Sequence, residues 1–533
     1  MSGGGVGSPD GNGEGRAKLL IDWARNHWDI LALAAILVVV LALRLKGFNH
    51  LLAFDEAWNV VTAEAGAAGK TGDFFFFNFY RHPPLYLGLS IPYCWALGSC
   101  ASFMKIVSIL ASLGVATALF FLLRKHQDRV TAVLAAFFFA VVPVAVVFDT
   151  WIKQDSIAIL IGVLFMYAFL GRRYYLSGVF LGLGFLTKEI MFFVLLSVAV
   201  YILATFTREK MLGLCRAVIV GFVMSAWWFV LFSNTGGDFI RFFLGTSPVN
   251  ARFQQPLMYY IQRFPVDFGW IIVIFMVGGI ATWVFRRVSD RGSDGGGEDV
   301  ILLCLIWVIS TATILTVSRG KPVWMIYSIA VPVAALAGYG LKEFLLAPGV
   351  RKPAAAAVLV LVVAGSLTYA FTLEQDRYMA NSGSWGETEE DYEIADELNQ
   401  LAGPGDVLLM SHDDISPNLA YYTESYSPGS IARLPLYDEQ GRVLRHAPTG
   451  RIADTTIYLV EGDSPLQLVF SYIERLDIDW VMIKERADGS LSTGLAQGLE
   501  KIAGSIEVDG GRIFSGRELR EAVSGEPYSN SGG

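Results

Sequence analysis

The stretch Ile30–Leu45, ILALAAILVVVLALRL, decides the class of fold, because its apolar run predicts a membrane-spanning helix. The chain continues through HLLAFDEAWNVV, so Asp55 and Glu56 lie just past the end of that helix. A carboxylate pair at a membrane boundary is costly to desolvate unless it is paired or lines a watery cavity. We therefore treat these two residues as functional candidates; a solvated acidic loop is the alternative.

The composition of the whole chain agrees with a membrane protein. Of 533 residues, 54% are hydrophobic and only 17% are charged, which indicates a multi-span membrane protein with a soluble appendage. Residues 1–28 are Gly-rich and polar at their start, and we expect a disordered cytoplasmic tail without a cleavable signal. The four cysteines all lie in apolar stretches, so no disulfide framework is expected in the C-terminal region.

Basic residues predict the orientation, because cytoplasmic loops are enriched in Lys and Arg. Arg16, Lys18 and Arg25 precede the first span, which places its start inside and its end outside. Arg44 and Lys46 at the far end run against this assignment. Counting apolar segments gives about eleven spans, an odd number, so the C-terminal region is expected outside.

Two apolar segments do not fit as single spans. If Pro83–Gly98 crossed the membrane, its two flanks would lie on the wrong sides. We therefore expect a juxtamembrane or re-entrant helix on the outer face; a full span is the alternative. Leu176–Phe206 has basic flanks at both ends, which predicts two short helices meeting near Leu186–Glu189. Lys188 at that apex needs a partner or a cavity. Simple pairing of Lys188 with Glu189 is the alternative.

From about Leu373 the pattern changes. Helix-like segments alternate with strand-like runs such as DVLLMSHD, TIYLV, DWVMIKE and SIEVDGGRIFS. This alternation predicts a small α/β domain with a largely parallel sheet. The expected fold is thus a mainly α polytopic membrane protein with a C-terminal α/β soluble domain, divided into residues 1–28 (tail), 29–372 (membrane domain) and 373–533 (extracytoplasmic domain).

Polar residues gather on the expected outer side. Besides the acidic pair, these are Arg81-His82 before a Pro-Pro pair, and Lys153 with Asp155; Lys188 approaches the same level from within the membrane. Such a set suits one chemistry, in which cations hold a lipid phosphate while a carboxylate activates a hydroxyl for attack at an anomeric carbon.

Five motifs carry a resemblance to a known group. They are FDEAWN, RHPPLYL, KQDSIAILIGVLFMYAF, GLGFLTKE and SRGKPVWMIYSIAVP, in this order over about Phe54–Gly340. Together they resemble polyprenyl-phosphate-sugar-dependent glycosyltransferases of the GT-C fold, in the branch of protein O-mannosyltransferases and bacterial aminoarabinose transferases. The resemblance implies a membrane enzyme that transfers a sugar, with inversion, from a dolichyl or undecaprenyl phosphate carrier. The acceptor would be a hydroxyl of a protein, glycan or lipid at the outer face of the cell membrane.

The resemblance also implies roles for single residues. Asp55 matches the catalytic carboxylate and Glu56 supports it. His82 matches the basic position before the Pro pair, Asp155 the acidic residue that opens a later span, and Lys188 a Thr-Lys motif. Lys153-Gln154 stands where many relatives have an Arg-containing sequence, which leaves the phosphate ligands open. Arg319 and Lys321, in an outer loop, either contact the donor phosphate or anchor helix ends.

The sequence is less consistent with other functions. No two of the six His lie at metal-ligand spacing, so no metal site is predicted. No cofactor is required by the sequence, and the use of a divalent cation is left as an alternative. Nucleic acid is not an expected partner; the expected partners are the lipid-linked donor, the acceptor and the bilayer. The alternative from another class is a transporter or flippase of lipid-linked sugars. Such proteins usually pair their discontinuous helices, whereas only one broken hairpin is evident here.

Overall fold

The computed structural model describes most of the membrane domain and parts of the C-terminal region. The described ranges are 22–48, 52, 54–69, 83–97, 100–231, 255–289, 299–318, 321 and 323–374, followed by 378, 394, 396–397, 400–401, 407–411, 431–433, 456–460, 473, 478–484, 499, 502–508 and 511–524. The chain divides into two compact units. The first comprises residues 1–48, 109–150 and 155–373, and the second comprises 49–108, 151–154 and 374–533.

Helices dominate the described part of the chain up to residue 374. They are α1 (Trp28–Lys46), α2 (Phe54–Ala67), α3 (Leu85–Leu97), α4 (Ala101–His126), α5 (Arg129–Val141), α6 (Pro143–Phe148), α7 (Asp155–Leu170), α8 (Tyr174–Phe185), α9 (Met191–Ala204), α10 (Arg208–Leu231), α11 (Tyr259–Phe268), α12 (Trp270–Ser289), α13 (Asp299–Val317), a 3₁₀ segment (Val323–Ile329), α14 (Ala330–Leu345) and α15 (Lys352–Thr372).

Seven helical segments among the described residues are long and apolar enough to cross a membrane: α1, α4, α10, α12, α13, the 3₁₀ segment with α14, and α15. Four apolar helices are shorter, α5, α7, α8 and α9. A mainly helical membrane protein is thus confirmed. The number eleven for the spans stays a prediction, because it counts these shorter helices as well.

The segment Leu176–Phe206 forms two short helices, as its basic flanks predicted. The hydroxyl of Tyr174, at the start of α8, donates to Glu209 at 3.3 Å. The ammonium of Lys210 donates to the hydroxyl of Tyr201, in the last turn of α9, at 3.2 Å. Glu209 and Lys210 are neighbours in the first turn of α10, so both basic ends lie at one level. The helices α8 and α9 therefore make a hairpin that turns back at residues 186–190.

Ion pairs join the helix ends that the charge pattern puts at the cytoplasmic face. They are Arg124–Asp29 at 2.6 Å, Arg129–Asp29 at 3.9 Å, Lys342–Asp128 at 3.2 Å, Lys342–Glu343 at 3.0 Å, and Arg286–Glu343. They bring together the starts of α1 and α5 and the ends of α4, α12 and α14. We call this set the basic-end cluster. It fixes the antiparallel order of these helices within the first unit.

The two cations that ran against the orientation both have partners inside the first unit. Lys46 donates to the carbonyls of Phe371, at 2.5 Å, and Leu373, at 3.0 Å, at the end of α15. Arg44 lies at the break between α5 and α6. Because Pro143 has no N–H, the carbonyl of Phe139 cannot receive its helical hydrogen bond. Arg44 donates to that carbonyl at 3.4 Å and also to the carbonyl of Ala140.

In the second unit, α2 and α3 pack against each other. The helix α3 has 13 residues and is therefore about 20 Å long, less than the thickness of a bilayer core. It is absent from the candidate spans among the described residues, in line with a juxtamembrane helix. Cys94, in its last turn, forms a disulfide with Cys100, a bond that the sequence reasoning did not anticipate.

The C-terminal part of the second unit contains a six-stranded sheet. Its strands are β1 (Val407–Ser411), β2 (Ile431–Arg433), β3 (Thr456–Val460), β4 (Trp480–Lys484), β5 (Ile506–Val508) and β6 (Gly511–Ser515), followed by α16 (Gly516–Ser524). The order is β2-β3-β1-β4-β6-β5. The first four are parallel, whereas β6 is antiparallel to β4 and β5 to β6. The expected α/β sheet is confirmed; β2 was missed because it has only three residues.

Candidate active site

Two predicted site residues of the first unit form an ion pair. Asp155 is the first residue of α7, where a carboxylate interacts favourably with the helix dipole, and it is 2% exposed. Lys188 lies in the turn of the α8–α9 hairpin, and its ammonium donates to Oδ2 of Asp155 at 2.5 Å. The hydroxyl of Thr187 donates to the carbonyl of Leu183 at 2.8 Å and holds the turn on the end of α8. The apex lysine therefore has Asp155 as its partner.

This pair lies far from the basic-end cluster. At the other end of α7, the ammonium of Lys125 lies 5.1 Å from the ring centre of Tyr167, and Lys125 follows Arg124 of the cluster. A helix of 16 residues is about 24 Å long. The Asp155–Lys188 pair thus lies at the end of α7 opposite to the basic-end cluster.

A second buried carboxylate of the first unit, Asp149, accepts hydrogen bonds from four side chains. Its Oδ2 accepts from the guanidinium of Arg44, at 2.9 and 3.3 Å, and from the hydroxyl of Ser112, at 2.6 Å. Its Oδ1 accepts from Ser156, at 2.9 Å, and from Tyr327. Both Asp149 and Arg44 are fully buried, so their charges depend on this network.

The sequence reasoning missed the Asp149 network. A usable signal was present, namely an Arg at the end of one apolar helix and an Asp at the end of another. Unpaired charges at those depths are costly, which predicts that they meet. Because Ser156 follows Asp155 directly, the network fixes the start of α7 and hence the backbone that carries Asp155.

In the second unit, the residues of α2 hold the segment 151–154 by its backbone. Oε1 of Glu56 accepts from the N–H of Ile152 at 2.8 Å. The amide of Asn59 donates to the carbonyl of Ile152 at 2.9 Å, and the amide of Gln154 donates to Oδ1 of Asn59 at 3.2 Å. Glu56 is fully buried. One of its oxygens is thus used to position a peptide group of the motif that precedes Asp155 in the chain.

The side chain of Lys153, within the same segment, is buried. Its ammonium lies 4.9 Å from the centre of a ring of Trp151, a distance at which an aromatic face attracts a cation. Lys153 is 2% exposed. The lysine is therefore held by protein groups in this conformation.

Lys321, in the first unit, precedes the 3₁₀ segment and lies outside the candidate spans. Its ammonium donates to the carbonyls of Ser318 and, at 3.4 Å, of Gln255. Burial lowers the pKa of Lys321 from its ordinary value. These contacts describe a cation that caps neighbouring carbonyl groups.

Three predicted site residues cannot be placed in the geometry. Asp55 is the second residue of α2, but its side chain lies outside the described part of the chain, as do His82 and Arg319. Within the described residues, no three His, Cys, Asp or Glu side chains gather as a metal site.

A protein-family profile matches part of the motif-bearing region. The profile of dolichyl-phosphate-mannose-protein mannosyltransferases matches residues 82–230. A curated relative is the undecaprenyl phosphate-alpha-4-amino-4-deoxy-L-arabinose arabinosyl transferase 1 of Sodalis glossinidius. It is 26% identical over 182 residues, which are 32% of this chain and 31% of that protein. The chain thus matches about a third of the length of this relative.

Solved structures are similar over almost the whole chain. The apo structure of ArnT from Cupriavidus metallidurans has a TM-score of 0.62 at 15% identity and covers 94% of this chain and 99% of its own. The same protein bound to undecaprenyl phosphate gives a TM-score of 0.58, covering 92% and 98%. The oligosaccharyltransferase AglB from Archaeoglobus fulgidus, in complex with an inhibitory peptide and a dolichol-phosphate, gives 0.55 at 13% identity, covering 91% and 73%.

At these identities the structural similarity establishes the fold, and the family profile covers the segment that contains Asp155 and Lys188. Both sequence matches are to glycosyltransferases. This chain therefore has the GT-C fold of these solved structures, and its sequence is similar over residues 82–230 to the protein mannosyltransferases, a group of membrane glycosyltransferases.

Proposed function

We propose that this protein is an inverting glycosyltransferase that moves a sugar from a polyprenyl phosphate carrier to a hydroxyl group at the extracytoplasmic face of the cell membrane. The acceptor is a protein, a glycan or a lipid. The observation that carries the proposal is the buried Asp155–Lys188 pair at the turn of a broken hairpin. A charged pair at that position is costly to maintain, and such residues usually mark a substrate site.

Lys188 has the chemistry to bind the phosphate of the donor. An ammonium has three N–H donors, and Asp155 accepts one of them in the described structure. The other two N–H groups can donate to phosphate oxygens. Such a charge-assisted hydrogen bond is strong where little water competes. As the bond between the anomeric carbon and the phosphate oxygen breaks, negative charge grows on that oxygen, and Lys188 stabilises it.

Asp55 is the proposed general base. The acceptor oxygen attacks the anomeric carbon from the face opposite the leaving phosphate, which inverts the configuration. The acceptor proton passes to the carboxylate of Asp55, and the polyprenyl phosphate leaves with the electron pair of the broken bond. Glu56 already accepts from the N–H of Ile152, so we assign it the positioning of the segment 151–154.

Two observations support the outer location of the site. The basic-end cluster lies at the opposite end of α7 from Asp155, and basic helix ends favour the cytoplasmic side. The disulfide between Cys94 and Cys100 belongs to the second unit, together with α2. Disulfides persist in oxidising compartments, which lie outside the cytoplasm.

Product analysis distinguishes this proposal from a transporter or flippase. The purified protein is incubated with undecaprenyl-phosphate aminoarabinose or dolichyl-phosphate mannose and a mixture of peptide, glycan and lipid acceptors, and released polyprenyl phosphate is measured by mass spectrometry. We expect release with at least one donor and loss of release in the double variant Asp155→Asn/Lys188→Met. The control Arg286→Gln/Glu343→Gln removes the Arg286–Glu343 and Lys342–Glu343 ion pairs at the opposite ends of the helices and should keep activity. Movement of intact donor across a vesicle without release would contradict the proposal.

A further inference from the structure

A basic cavity lies at the end of the helices opposite to the proposed donor site. Its volume is about 370 Å³, and its walls are Phe121, Arg124, Lys125, Arg129 and Tyr167. These residues come from the end of α4, the start of α5 and the last turn of α7, all within the first unit. No step of the proposed transfer reaction uses them.

The cavity carries an excess of positive charge. Asp29 pairs with Arg124 at 2.6 Å and, more distantly, with Arg129 at 3.9 Å. Lys125 lies over the ring of Tyr167 instead of a carboxylate. In the part of the chain that the structure describes, one carboxylate thus pairs with two of the three cations of the cavity.

A nearby acid does not neutralise this excess. Asp128, which precedes Arg129, accepts from the N–H groups of Val130 and Thr131 at 2.9 Å each and caps the start of α5. Its other oxygen pairs with Lys342 at 3.2 Å. The carboxylate of Asp128 is therefore committed to the helix cap and to a different lysine.

The wall of the cavity changes from charged to aromatic along α4. Phe121 lies one turn before Lys125, on a helix that is long and apolar enough to span the membrane, and its side chain is 39% exposed. Tyr167 is half-buried beside it. A free phosphate ion would use only the cations. A phospholipid would use both parts, with its phosphate at the cations and its first acyl carbons along Phe121.

We propose that this cavity binds the headgroup of an anionic phospholipid in the leaflet at the basic ends of the helices. Basic pockets between transmembrane helices on the cytoplasmic side are suited to anionic headgroups. The site is separated from Asp155 by the length of α7, about 24 Å. It is therefore a lipid site independent of the carrier lipid in the proposed reaction, and it does not rest on that reaction.

Native mass spectrometry of the full-length protein in detergent tests the proposal, with dioleoyl-phosphatidylglycerol and dioleoyl-phosphatidylcholine as competing probes. The parent should bind phosphatidylglycerol in preference. The double variant Lys125→Gln/Arg129→Gln removes two charges but keeps the Arg124–Asp29 pair. Each basic residue contributes about fivefold to the affinity for an anionic lipid, so the loss of two should weaken phosphatidylglycerol binding about 25-fold. The matched control Arg173→Gln removes an exposed charge near the same end of α7, outside the cavity, and should bind as the parent does.

Three results would overturn the proposal: unchanged lipid preference in the double variant, an equal loss in Arg173→Gln, or displacement of the lipid by inorganic phosphate as effective as that by short-chain phosphatidylglycerol. The second result would indicate general surface attraction, and the third a site for free phosphate. If the double variant does not fold, Arg129→Gln alone decides, because that side chain is 51% exposed. It should weaken phosphatidylglycerol binding about fivefold, and no change would be decisive against the site.

Discussion

The ammonium of Lys188 lies 2.5 Å from Oδ2 of Asp155, and this contact joins residues 33 positions apart in the chain. It ties the turn of the α8–α9 hairpin to the first residue of α7. Because both side chains are largely buried, each charge relies on the other. The same lysine that the proposed reaction needs for the donor phosphate is thus held in place by a carboxylate before the donor arrives.

Lys188→Met should lower both donor binding and turnover. The substitution keeps the apolar stem but removes the charge that contacts phosphate in the ground state and in the transition state. It also leaves Asp155 as a lone buried carboxylate near the donor, which repels the phosphate. Titration of the purified variant with the polyprenyl-phosphate sugar, beside initial rates, separates the two effects.

The double variant Asp155→Asn/Lys188→Met provides the control for folding. It removes both charges, so it should unfold at a higher temperature than Lys188→Met while staying inactive. Donor affinity of Lys188→Met equal to that of the parent would make the pair a structural one. The phosphate would then be sought at His82, Lys153, Arg319 or Lys321.

Asp55→Asn should abolish transfer and spare donor binding. A general base typically contributes about 10²–10⁴ in rate, and an amide cannot accept the acceptor proton in the same way. The comparison variant Glu56→Gln removes the acceptor charge at the N–H of Ile152 and should show loss of thermal stability together with loss of rate. An Asp55→Asn protein with more than about a tenth of parental turnover would not have lost its general base.

Arg44→Met should destabilise the protein by about 3–5 kcal/mol, because it leaves the buried carboxylate of Asp149 without its cation. Tyr327→Phe removes a single donor to the same carboxylate, so about 1–3 kcal/mol is expected. Lys46→Met, which removes exposed hydrogen bonds near the end of the same helix, should stay within about 1 kcal/mol. Unfolding in denaturant checks the order of the three. Equal stabilities of Arg44→Met and Lys46→Met would show that the network is not needed for the fold.

The raised pKa of Glu64 predicts that the stability of the protein depends on pH. Burial raises the pKa of Glu64, in α2 outside the candidate spans, from 4.5 to about 7. The unfolded state therefore releases this proton at lower pH than the folded state. The contribution of the protonated Glu64 carboxyl to the free energy of unfolding is thus complete below about pH 4.5 and is lost as the pH rises to about 7. Glu64→Gln should unfold at a similar temperature to the parent at pH 5 and at a higher one at pH 8. Parallel melting curves of the two proteins across this range would contradict the raised pKa.

Cysteine labelling tests the orientation. In a background with Cys215→Ala, a cysteine at Ser382 or Ser492 should react with an impermeant maleimide in intact cells, whereas one at Ser293 should not. The first two positions follow the last predicted span, and the third lies in the basic inner loop. Permeabilised cells provide the control, in which all three should react. Labelling of Ser293→Cys in sealed cells would show that the orientation is the opposite one.

Hydropathy and charge along the chain determined the membrane class and the broken hairpin. A segment with Arg173 before it and Arg208 after it cannot cross once and keep both flanks on one side, so it must turn back near Lys188. The alternation of helix-like and strand-like runs likewise determined the class of the C-terminal domain. These properties depend on near neighbours in sequence, because each segment partitions between bilayer and water according to its own residues.

Only the tertiary structure decided which charges meet. Asp149 accepts hydrogen bonds from Arg44, which is 105 residues away in the chain, and from Tyr327, which is 178 residues away. Hydropathy does not encode such pairs, since they depend on which helices are neighbours, and close packing decides that. An added Cβ on Gly340 would lie 2.7 Å from the backbone nitrogen of Gly279, so α12 and α14 approach each other through glycines. The sequence alone therefore identified Lys188 as a residue that needed a partner, and the packing of the helices selected Asp155.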